Sequence, residues 1–167
     1  MKSPVVLTGG TGYLGAHILS QLLEKGYEVR LTSRHPEKTK SEVWIEDLVA
    51  KYGTQLSFYV ADLKKEGSFD AVMIGAKSVI HTASPFKIEG IKDAKIELID
   101  PAVNGTTNVL GSVDKNGSIE KVVLTSSMAS IYGDAIDIEL YSEDTFDESH
   151  WNTSSSIKHQ PYSFSKV

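Results

Sequence analysis

The sequence predicts an α/β fold in which helices cover both faces of a parallel sheet. Five short apolar runs, each typical of a buried strand, alternate along the chain with segments of helical periodicity. This β-α-β-α-β-α-β-α-β order, without an internal repeat, requires parallel strands joined by crossover helices. The first strand, 5–7, runs directly into four closely spaced glycines and a helix. Polar residues follow several strands, at the edge where such sheets bind their ligands.

Composition limits the classes of protein to which the chain can belong. With 40% hydrophobic and 23% charged residues, the 167-residue chain has the balance of a soluble globular domain. The absence of cysteine excludes disulfides and thiolate metal sites, and we expect no metal. The sequence has neither a basic patch for nucleic acid nor an apolar run that could span a bilayer. The N-terminus lacks a signal region, so the expected location is cytoplasmic.

The stretch VVLTGGTGYLG, residues 5–15, is the strongest local signal of function. Gly10-x-Gly12-x-x-Gly15 fits the dinucleotide-binding fingerprint, and Gly9 adds a second register. Glycine permits a tight turn, close approach of the backbone to a pyrophosphate, and close packing of helix on strand. The dipole and the first N–H groups of the helix would then face the phosphates, whereas an ordinary flexible turn is the alternative. The predicted cofactor contacts in this stretch are Gly9, Gly12, Tyr13, Leu14 and Gly15.

Local patterns place the other elements. Strands are predicted where short runs are apolar or alternate in polarity, at 27–31, 56–60, 78–80 and 121–124. The first helix has an apolar face that begins at Leu14, and a short helix is predicted over 69–76. Ser41 is predicted to cap the helix between them, whose apolar positions lie at 44–49.

The last third of the chain gives two further structural predictions. Pro101 is predicted in the first turn of a helix, because proline suits that position. One face of this helix is predicted to be shared by Val103, Thr106, Leu110 and Val113. A run of acidic residues without lysine or arginine then predicts a solvated loop. These residues are Asp134, Asp137, Glu139, Glu143, Asp144, Asp147 and Glu148.

The end of the second strand indicates a cofactor with a 2′-phosphate. A site for NAD would carry an aspartate or glutamate there, to accept hydrogen bonds from the ribose. This chain has Arg34 instead, and a guanidinium suits a phosphate that a carboxylate would repel. A solvated arginine at a strand end is the alternative. The sequence therefore favours NADP.

Further polar residues follow the third, fourth and fifth strands. Asp62 is placed either to accept a hydrogen bond from an adenine amino group or to cap a helix, and spacing alone leaves both open. Residues 82–84 follow the fourth strand, and Ser126 and Ser127 follow the fifth. His81 abuts the same edge of the sheet and is interpreted as a structural histidine rather than a general base.

Near the C-terminus, Tyr162 and Lys166 form a Tyr-x-x-x-Lys pair. In a helix, this i, i+4 spacing puts both side chains on one face. A lysine ammonium beside a phenol stabilises the phenolate and lowers the phenol pKa from about 10. A tyrosine tuned in this way exchanges a proton with a carbonyl or alcohol oxygen near neutral pH. The pair alone is common by chance, but together with the glycine turn and the Ser-Ser strand end it indicates carbonyl–alcohol chemistry.

Several motifs, in this order, resemble those of the extended short-chain dehydrogenases/reductases, within the NAD-dependent epimerase/dehydratase family: TGGTGYLG, ADL at 61–63, LTSS and YSFSK. Other segments are similar to the dihydroflavonol 4-reductase and cinnamoyl-CoA reductase branch: VRLTSRHPE, ADLKKEGSFD, HTASP, PAVNGTTNVL and DESHW. The resemblance covers essentially the whole chain. It implies a Rossmann-type, doubly wound parallel sheet.

The same resemblance implies an NADPH-dependent reductase of a small aldehyde or ketone, with tyrosine as the proton donor. The family's catalytic triad corresponds to Ser127, Tyr162 and Lys166. Ser127 is preferred to Ser126 because the family's serine is the second of the pair. The contacts to NADP(H) implied beyond the glycine turn are Arg34, Asp62, Leu63, Thr82, Ala83, Ser84, Tyr162 and Lys166.

Two other functions stay open at this point. The same triad serves NAD-dependent nucleotide-sugar epimerases and dehydratases, although Arg34 argues against a retained NAD. The second alternative is a non-catalytic, NADP-binding or redox-sensing module, against which the intact Tyr162–Lys166 pair counts.

Two departures from the family pattern limit these expectations. Residues 131–140 (IYGDAIDIEL) do not resemble the plant enzymes, so we do not expect a flavonoid substrate. The family continues well past the tyrosine motif. We therefore expect 1–167 to be an incomplete NADP-binding Rossmann domain, truncated after the fifth strand and the start of the following helix, without the C-terminal substrate-binding region. The 167-residue chain alone is expected to be inactive, and a homodimer stays open.

Overall fold

A five-stranded parallel sheet forms the centre of the fold. The computed structural model describes residues 1–85, 90–141 and 145–167. The strands are β1 (Val5–Thr8), β2 (Val29–Ser33), β3 (Leu56–Val60), β4 (Ser78–His81) and β5 (Lys121–Leu124). Their order is β3-β2-β1-β4-β5, and every neighbouring pair is parallel. The predicted α/β, Rossmann-type doubly wound sheet is therefore confirmed, since the strand order reverses beside β1.

Helices and turns connect the strands. The α-helices are α1 (Tyr13–Glu24), α2 (Pro36–Lys40), α3 (Val43–Tyr52), α4 (Asp70–Met73), α5 (Asp100–Asp114) and α6 (Pro161–Phe164). A π-helical turn, Lys95–Ile99, precedes α5, and 3₁₀ helices cover Met128–Ser130 and Ala135–Leu140. Among the residues described, no helix combines the length and apolar character needed to cross a bilayer.

The central strands are buried on both faces, which explains their continuous apolar runs. Because successive side chains of a strand point to opposite faces, Val5 and Leu7 of β1 join one core, while Val6 joins the other. The first core includes side chains of α1 and Ile45 of α3. The second includes side chains of α4 and Val109 of α5. Helices therefore cover both faces, as predicted.

The chain divides into two compact units. The larger unit contains the sheet and comprises Met1–Ser84 and Gly105–Thr125. The smaller unit comprises Pro85–Asn104 and Ser126–Val167. Within the larger unit, the parallel register places the ends of β1 and β4 side by side, with Thr8 opposite His81. Within the smaller unit, α6 packs against the 3₁₀ helix at 128–130 and the π-helical turn.

The helix start predicted at Ser41 is wrong. Ser41 ends α2, where its hydroxyl donates a hydrogen bond to the carbonyl oxygen of Lys38 at 2.9 Å. Helix α3 begins after Glu42, without a side-chain cap. Pro36 decides the local structure, because proline suits the start of a helix and the short α2 then ends at Ser41.

The helix predicted to start near Pro101 begins earlier. Helical backbone runs from Ala94 through the π-helical turn into α5, so Pro101 lies inside the helical segment. Proline lacks the N–H that an α-helix uses, and a local change to π geometry accommodates that loss.

The buried face of α5 lies one residue away from the face predicted from its apolar residues. Val103 and Leu110 are exposed, and the buried positions are Ala102, Gly105, Val109 and Ser112. A Cβ added to Gly105 would lie 3.2 Å from Cβ of Leu63. The face of α5 that is buried is therefore the one whose small residues allow close packing, and not the one with the larger apolar side chains.

The segment predicted as a solvated acidic loop is partly helical and partly buried. Asp137 is only 8% exposed, and its carboxylate accepts hydrogen bonds from the N–H groups of Gly133 and Asp134, both at 3.0 Å. The hydroxyl of Ser154 donates a third bond, which is the main reason why the pKa of Asp137 lies below its usual range. Two members of the predicted loop, Glu143 and Asp144, lie outside the described residues.

His81 is buried at the end of β4 and joined to Thr8. It is 1% exposed, and its Nδ1 lies 2.6 Å from Thr8 Oγ1. The N–H of Ala83 donates to the same hydroxyl, whose own proton is then available to an unprotonated Nδ1. Burial lowers the pKa of His81 from 6.5 to about 4. These contacts agree with a structural histidine.

We expect the stability of the chain to depend on pH through His81. The unfolded chain takes up a proton near pH 6.5, whereas the folded chain resists protonation down to about pH 4. The contribution of neutral His81 is therefore complete above pH 6.5 and is lost as the pH falls toward 4. At pH 5 the loss should be about 2 kcal/mol relative to pH 7. Urea unfolding at the two pH values measures it.

His81→Asn, which offers Thr8 an uncharged partner, should remove most of this difference. His35→Asn is the matched control, because His35 is exposed and the difference should persist. A free energy of unfolding that is equal at pH 7 and pH 5 would contradict the assignment of His81.

Candidate active site

The glycine turn between β1 and α1 leaves no space for side chains. Gly9 has φ +70°, and a Cβ there would lie 2.6 Å from the backbone nitrogen of Ala83 and 2.8 Å from Thr82 Oγ1. The N–H of Gly12 donates to the carbonyl oxygen of Gly9 at 3.0 Å, which closes the turn. A Cβ on Gly15 would overlap that same carbonyl oxygen. Glycine is thus required for the turn and for the packing of α1 on it.

The start of α1 offers hydrogen-bond donors to an anion. Gly12 is the N-cap and provides no side-chain acceptor, so the first-turn N–H groups of Tyr13, Leu14 and Gly15 have no partner within the helix. No acidic residue lies in that turn. Tyr13 is 88% exposed and Leu14 is half exposed, so the buried residues of α1 begin after Leu14. Unpaired N–H groups and the helix dipole together favour a phosphate here.

The segment after β4 is held against this turn by Thr8. Thr82 donates its hydroxyl hydrogen bond to the carbonyl oxygen of Thr8 at 2.7 Å, and the N–H of Ala83 donates to the Thr8 hydroxyl at 3.2 Å. Gly9, Thr82 and Ala83 are therefore brought together in the larger unit, as the sequence predicted. Ser84 follows directly and ends this unit.

A pocket of about 640 Å³ lies beyond the ends of β2 and β3, in the larger unit. Arg34 is exposed at its border. The carboxylate of Asp62 also borders it and accepts a hydrogen bond from the N–H of Lys64 at 2.9 Å. Asp62 therefore stabilises a turn, while α4 has Phe69 as its N-cap. The full lining is Arg34, His35, Val60, Ala61, Asp62, Lys65, Glu66, Gly67 and Ser68.

Two residues beside this pocket make contacts that the sequence does not predict. Leu63 is absent from its lining and packs its side chain on Gly105 of α5, so its contact with the cofactor stays a prediction. Ser68 was not predicted, yet its hydroxyl accepts from the N–H of Asp62 at 3.0 Å and donates to the Asp62 carbonyl oxygen at 2.8 Å. A serine six residues after the aspartate gives no local signal of this contact.

In the smaller unit, Ser127 is the N-cap of the 3₁₀ helix at 128–130. Its Oγ accepts a hydrogen bond from the N–H of Ala129 at 3.2 Å. The neighbouring Ser126 is exposed, and its hydroxyl lies 3.1 Å from that of Ser130. Both serines border a cavity of about 440 Å³, whose other lining residues are Met128, Ser130, Ile131, Glu148, His150 and Trp151. Met128, Ile131 and Trp151, which form the apolar walls of this cavity, are not predicted as site residues from the sequence.

Tyr162 and Lys166 lie next to each other. Lys166 Nζ is 5.0 Å from the centroid of the Tyr162 ring, and burial lowers the pKa of Lys166. The expected helix is only the single turn α6, which ends at Phe164, so Lys166 lies beyond it. Since α6 packs on the 3₁₀ helix that Ser127 caps, the three residues of the predicted triad belong to one compact unit.

Comparison with known proteins places these residues in a family. Residues 5–167 match the profile of the NAD dependent epimerase/dehydratase family. The chain is 43% identical over 129 residues to cinnamoyl-CoA reductase CAD2 of Medicago truncatula, a match covering 76% of this chain and 38% of that protein. It is 38% identical over 148 residues to dihydroflavonol 4-reductase of Dianthus caryophyllus, covering 89% and 39%.

A solved structure with the same fold is that of Gre2 from Candida albicans in complex with NADPH. It superimposes with a TM-score of 0.77 at 33% identity, and the match covers 97% of this chain and 49% of Gre2. The chain thus spans about half of that structure and less than half of the two curated relatives. Because the family profile matches nearly every residue, this protein belongs to the NAD dependent epimerase/dehydratase family.

Proposed function

We propose that the protein is an NADPH-dependent reductase of an aldehyde or ketone. The observation that carries this proposal is the Tyr162–Lys166 pair, with Nζ 5.0 Å from the ring centroid, in the same compact unit as Ser127. The relatives support it, because two are named as reductases and a third is solved with NADPH.

The residues of the larger unit fit a dinucleotide with a 2′-phosphate. A Cβ at Gly9 or Gly15 would fill the turn where the backbone must approach a pyrophosphate. The first N–H groups of α1 would donate to the phosphates, and Arg34 at the border of the pocket would bind the 2′-phosphate. The Asp62 carboxylate would accept a hydrogen bond from the adenine amino group.

Three side chains carry out the proposed chemistry. NADPH, when bound, supplies the hydride that reduces the carbonyl carbon. Tyr162 donates a proton to the carbonyl oxygen, and Ser127 donates a hydrogen bond to the charge that develops there. The Lys166 ammonium stabilises the phenolate that remains and binds the ribose.

The cavity beside Ser127 indicates the kind of substrate. Met128, Ile131 and Trp151 give it apolar walls, while the serine hydroxyls supply a polar edge. A carbonyl compound with an apolar substituent fits such a lining. A homodimer, a cytoplasmic location and the inactivity of 1–167 alone stay predictions from the sequence.

A nucleotide-sugar epimerase or dehydratase is the second candidate, because it uses the same triad. Arg34 distinguishes the two, since a guanidinium is of little use to a cofactor without a 2′-phosphate.

We expect Arg34→Asp to reverse the cofactor preference. A charge-assisted contact to phosphate contributes about 1.5–3 kcal/mol, so the native protein should bind NADPH at least tenfold more tightly than NADH. Aspartate repels the 2′-phosphate and accepts from the ribose hydroxyls instead. Titration calorimetry with both cofactors measures the two dissociation constants. Lys38→Asp makes the same charge change at an exposed position of α2 and should preserve the preference. Equal affinities in the native protein would refute the assignment of Arg34.

We expect Tyr162→Phe to abolish carbonyl reduction in the full-length protein and to leave NADPH binding nearly intact. Loss of the proton donor should lower kcat by about 10²–10⁴-fold. NADPH oxidation with a panel of aldehydes and ketones measures the rate. Tyr52→Phe is the matched control and should leave kcat unchanged. The ring of Tyr52 also has a lysine ammonium beside it, because Lys51 Nζ lies 4.9 Å from its centroid, but Tyr52 belongs to α3. Turnover by Tyr162→Phe at the native rate would exclude Tyr162 as the donor, and a native protein that binds NADPH without reducing any carbonyl would favour a binding module.

A further inference from the structure

Asn152 is a buried side chain whose hydrogen-bonding groups are all used. It is 4% exposed. Its Nδ2 donates to the carbonyl oxygen of Ala129 at 2.8 Å and to Ser155 Oγ at 2.7 Å. Its Oδ1 accepts from the N–H groups of Ser154 at 3.2 Å and Ser155 at 3.0 Å. A buried amide with this many partners fixes the relative position of the segments that it joins.

One of these segments is the 3₁₀ helix that Ser127 caps. Besides the side-chain bond to Ala129, the backbone N–H of Asn152 donates to the carbonyl oxygen of Ser130 at 2.9 Å. Ala129 is also the residue whose N–H donates to Ser127 Oγ. Asn152 thus holds the two peptide groups that directly follow the one bonded to the Ser127 hydroxyl.

The other segment leads toward Tyr162. Ser154 donates its hydroxyl hydrogen bond to Asp137 at 2.6 Å, and the same carboxylate accepts from the N–H of Asp134. The carboxylate of Asp134 in turn accepts from the side-chain amide of Gln160 and lies 2.7 Å from His159 Nε2. Gln160 is the N-cap of α6, the helix that contains Tyr162.

Two further observations indicate that this arrangement is tightly defined. A Cβ added to Gly133 would lie 2.6 Å from Ser155 Oγ and 2.9 Å from Asn152 Oδ1. Gln160 has φ +53°, a left-handed conformation that a residue other than glycine keeps only when its surroundings hold it. The network therefore holds the start of α6, the helix that contains Tyr162.

We infer that Asn152 is a positioning residue, which holds the Ser127 hydroxyl and the Tyr162 helix in register through the hydrogen-bond network from Ala129 to Gln160. This role rests on the proposed reductase function, because it concerns the alignment of the proton donor with the oxyanion-stabilising serine. Asn152 acts through Ala129 and Ser154 and needs no contact with the substrate.

The test compares three substitutions in the full-length protein. Asn152→Asp keeps the shape and the acceptor but removes both donors, and Asn152→Ala removes the whole amide. Ser154→Ala removes the hydroxyl that donates to Asp137 at 2.6 Å and makes a longer contact, 3.5 Å, with Asn152 Oδ1. We expect kcat for carbonyl reduction to fall about 10- to 100-fold in both Asn152 variants, because misalignment of reacting groups lowers the rate steeply. The dissociation constant of NADPH should change much less than kcat, because all of its proposed contacts except Tyr162 and Lys166 belong to the larger unit. The kcat of Ser154→Ala should lie between that of the Asn152 variants and that of the native protein. The double variant Asn152→Ala/Ser154→Ala should have the same kcat as Asn152→Ala, because both substitutions act on one network.

Hydrogen exchange supplies a readout that does not depend on activity. The amides of Phe164, Ser165 and Lys166 donate to the carbonyl oxygens of Gln160, Pro161 and Ser163. They should exchange at least about tenfold faster in the Asn152 variants, while the amides of α1 should exchange at the native rate. Asn104→Ala, at an exposed position of α5, is the matched control and should change neither kcat nor exchange.

The outcomes separate this inference from the proposed function. A native protein without reductase activity would refute the function, and the exchange rates would then decide the role of Asn152. Native kcat together with native exchange at 164–166 in the Asn152 variants would overturn the inference. Equal losses of kcat and NADPH affinity would also overturn it, because they indicate general unfolding. If the Asn152 variants do not fold, Ser154→Ala decides: unchanged kcat and exchange in that variant would count against the network.

Discussion

The close approach of Gly9 to the segment after β4 is the constraint on which the larger unit's ligand site depends. With φ +70° and Ala83 N only 2.6 Å from where a Cβ would lie, the position accepts glycine alone. Gly15 extends the same constraint to α1, whose first turn packs on the turn backbone. The end of β4 and the start of α1 therefore reach one edge of the sheet, where the first N–H groups of α1 have no partner within the helix. Because β1 pairs in parallel with β2 and β4, Arg34, which follows β2, and Thr82, which follows β4, lie at the same edge of the sheet as the glycine turn.

The smaller unit obtains its geometry from a different interaction. Tyr162 lies in α6, and the N-cap of that helix, Gln160, donates a side-chain hydrogen bond to the carboxylate of Asp134. Buried polar groups stabilise this arrangement. Asp137 and Asn152 are both more than nine-tenths buried. A buried polar group without a hydrogen bond costs free energy, so each favours the arrangement in which its hydrogen bonds are made. A network of this kind is specific in direction, whereas apolar packing alone would tolerate several arrangements of the same segments.

The contrast explains which features could be predicted from the sequence. The glycine turn, Arg34 and the Tyr162–Lys166 pair follow from short motifs at fixed spacing, and the five strands follow from local apolar runs. The start of α3 was missed because Pro36 creates a helix that competes for Ser41, and the buried face of α5 was missed because its packing depends on Leu63, about forty residues away. The burial of Asp137 and Asn152 depends on Ser154 and Ala129, 17 and 23 residues distant, and no periodicity encodes such partners.

Burial lowers the pKa of one basic group in each unit, His81 in the larger and Lys166 in the smaller, with different consequences near neutral pH. In the larger unit, the buried imidazole nearest the glycine turn belongs to His81, whose pKa of about 4 leaves it neutral across the physiological range. The positive potential that would favour a phosphate there comes from the α1 dipole and the Arg34 guanidinium. In the smaller unit, Lys166 is half-buried beside an aromatic ring, and its pKa is lowered by that burial. Because burial moves the pKa of Lys166 toward neutral pH, the pH dependence of kcat for the proposed carbonyl reduction should report the protonation of Lys166.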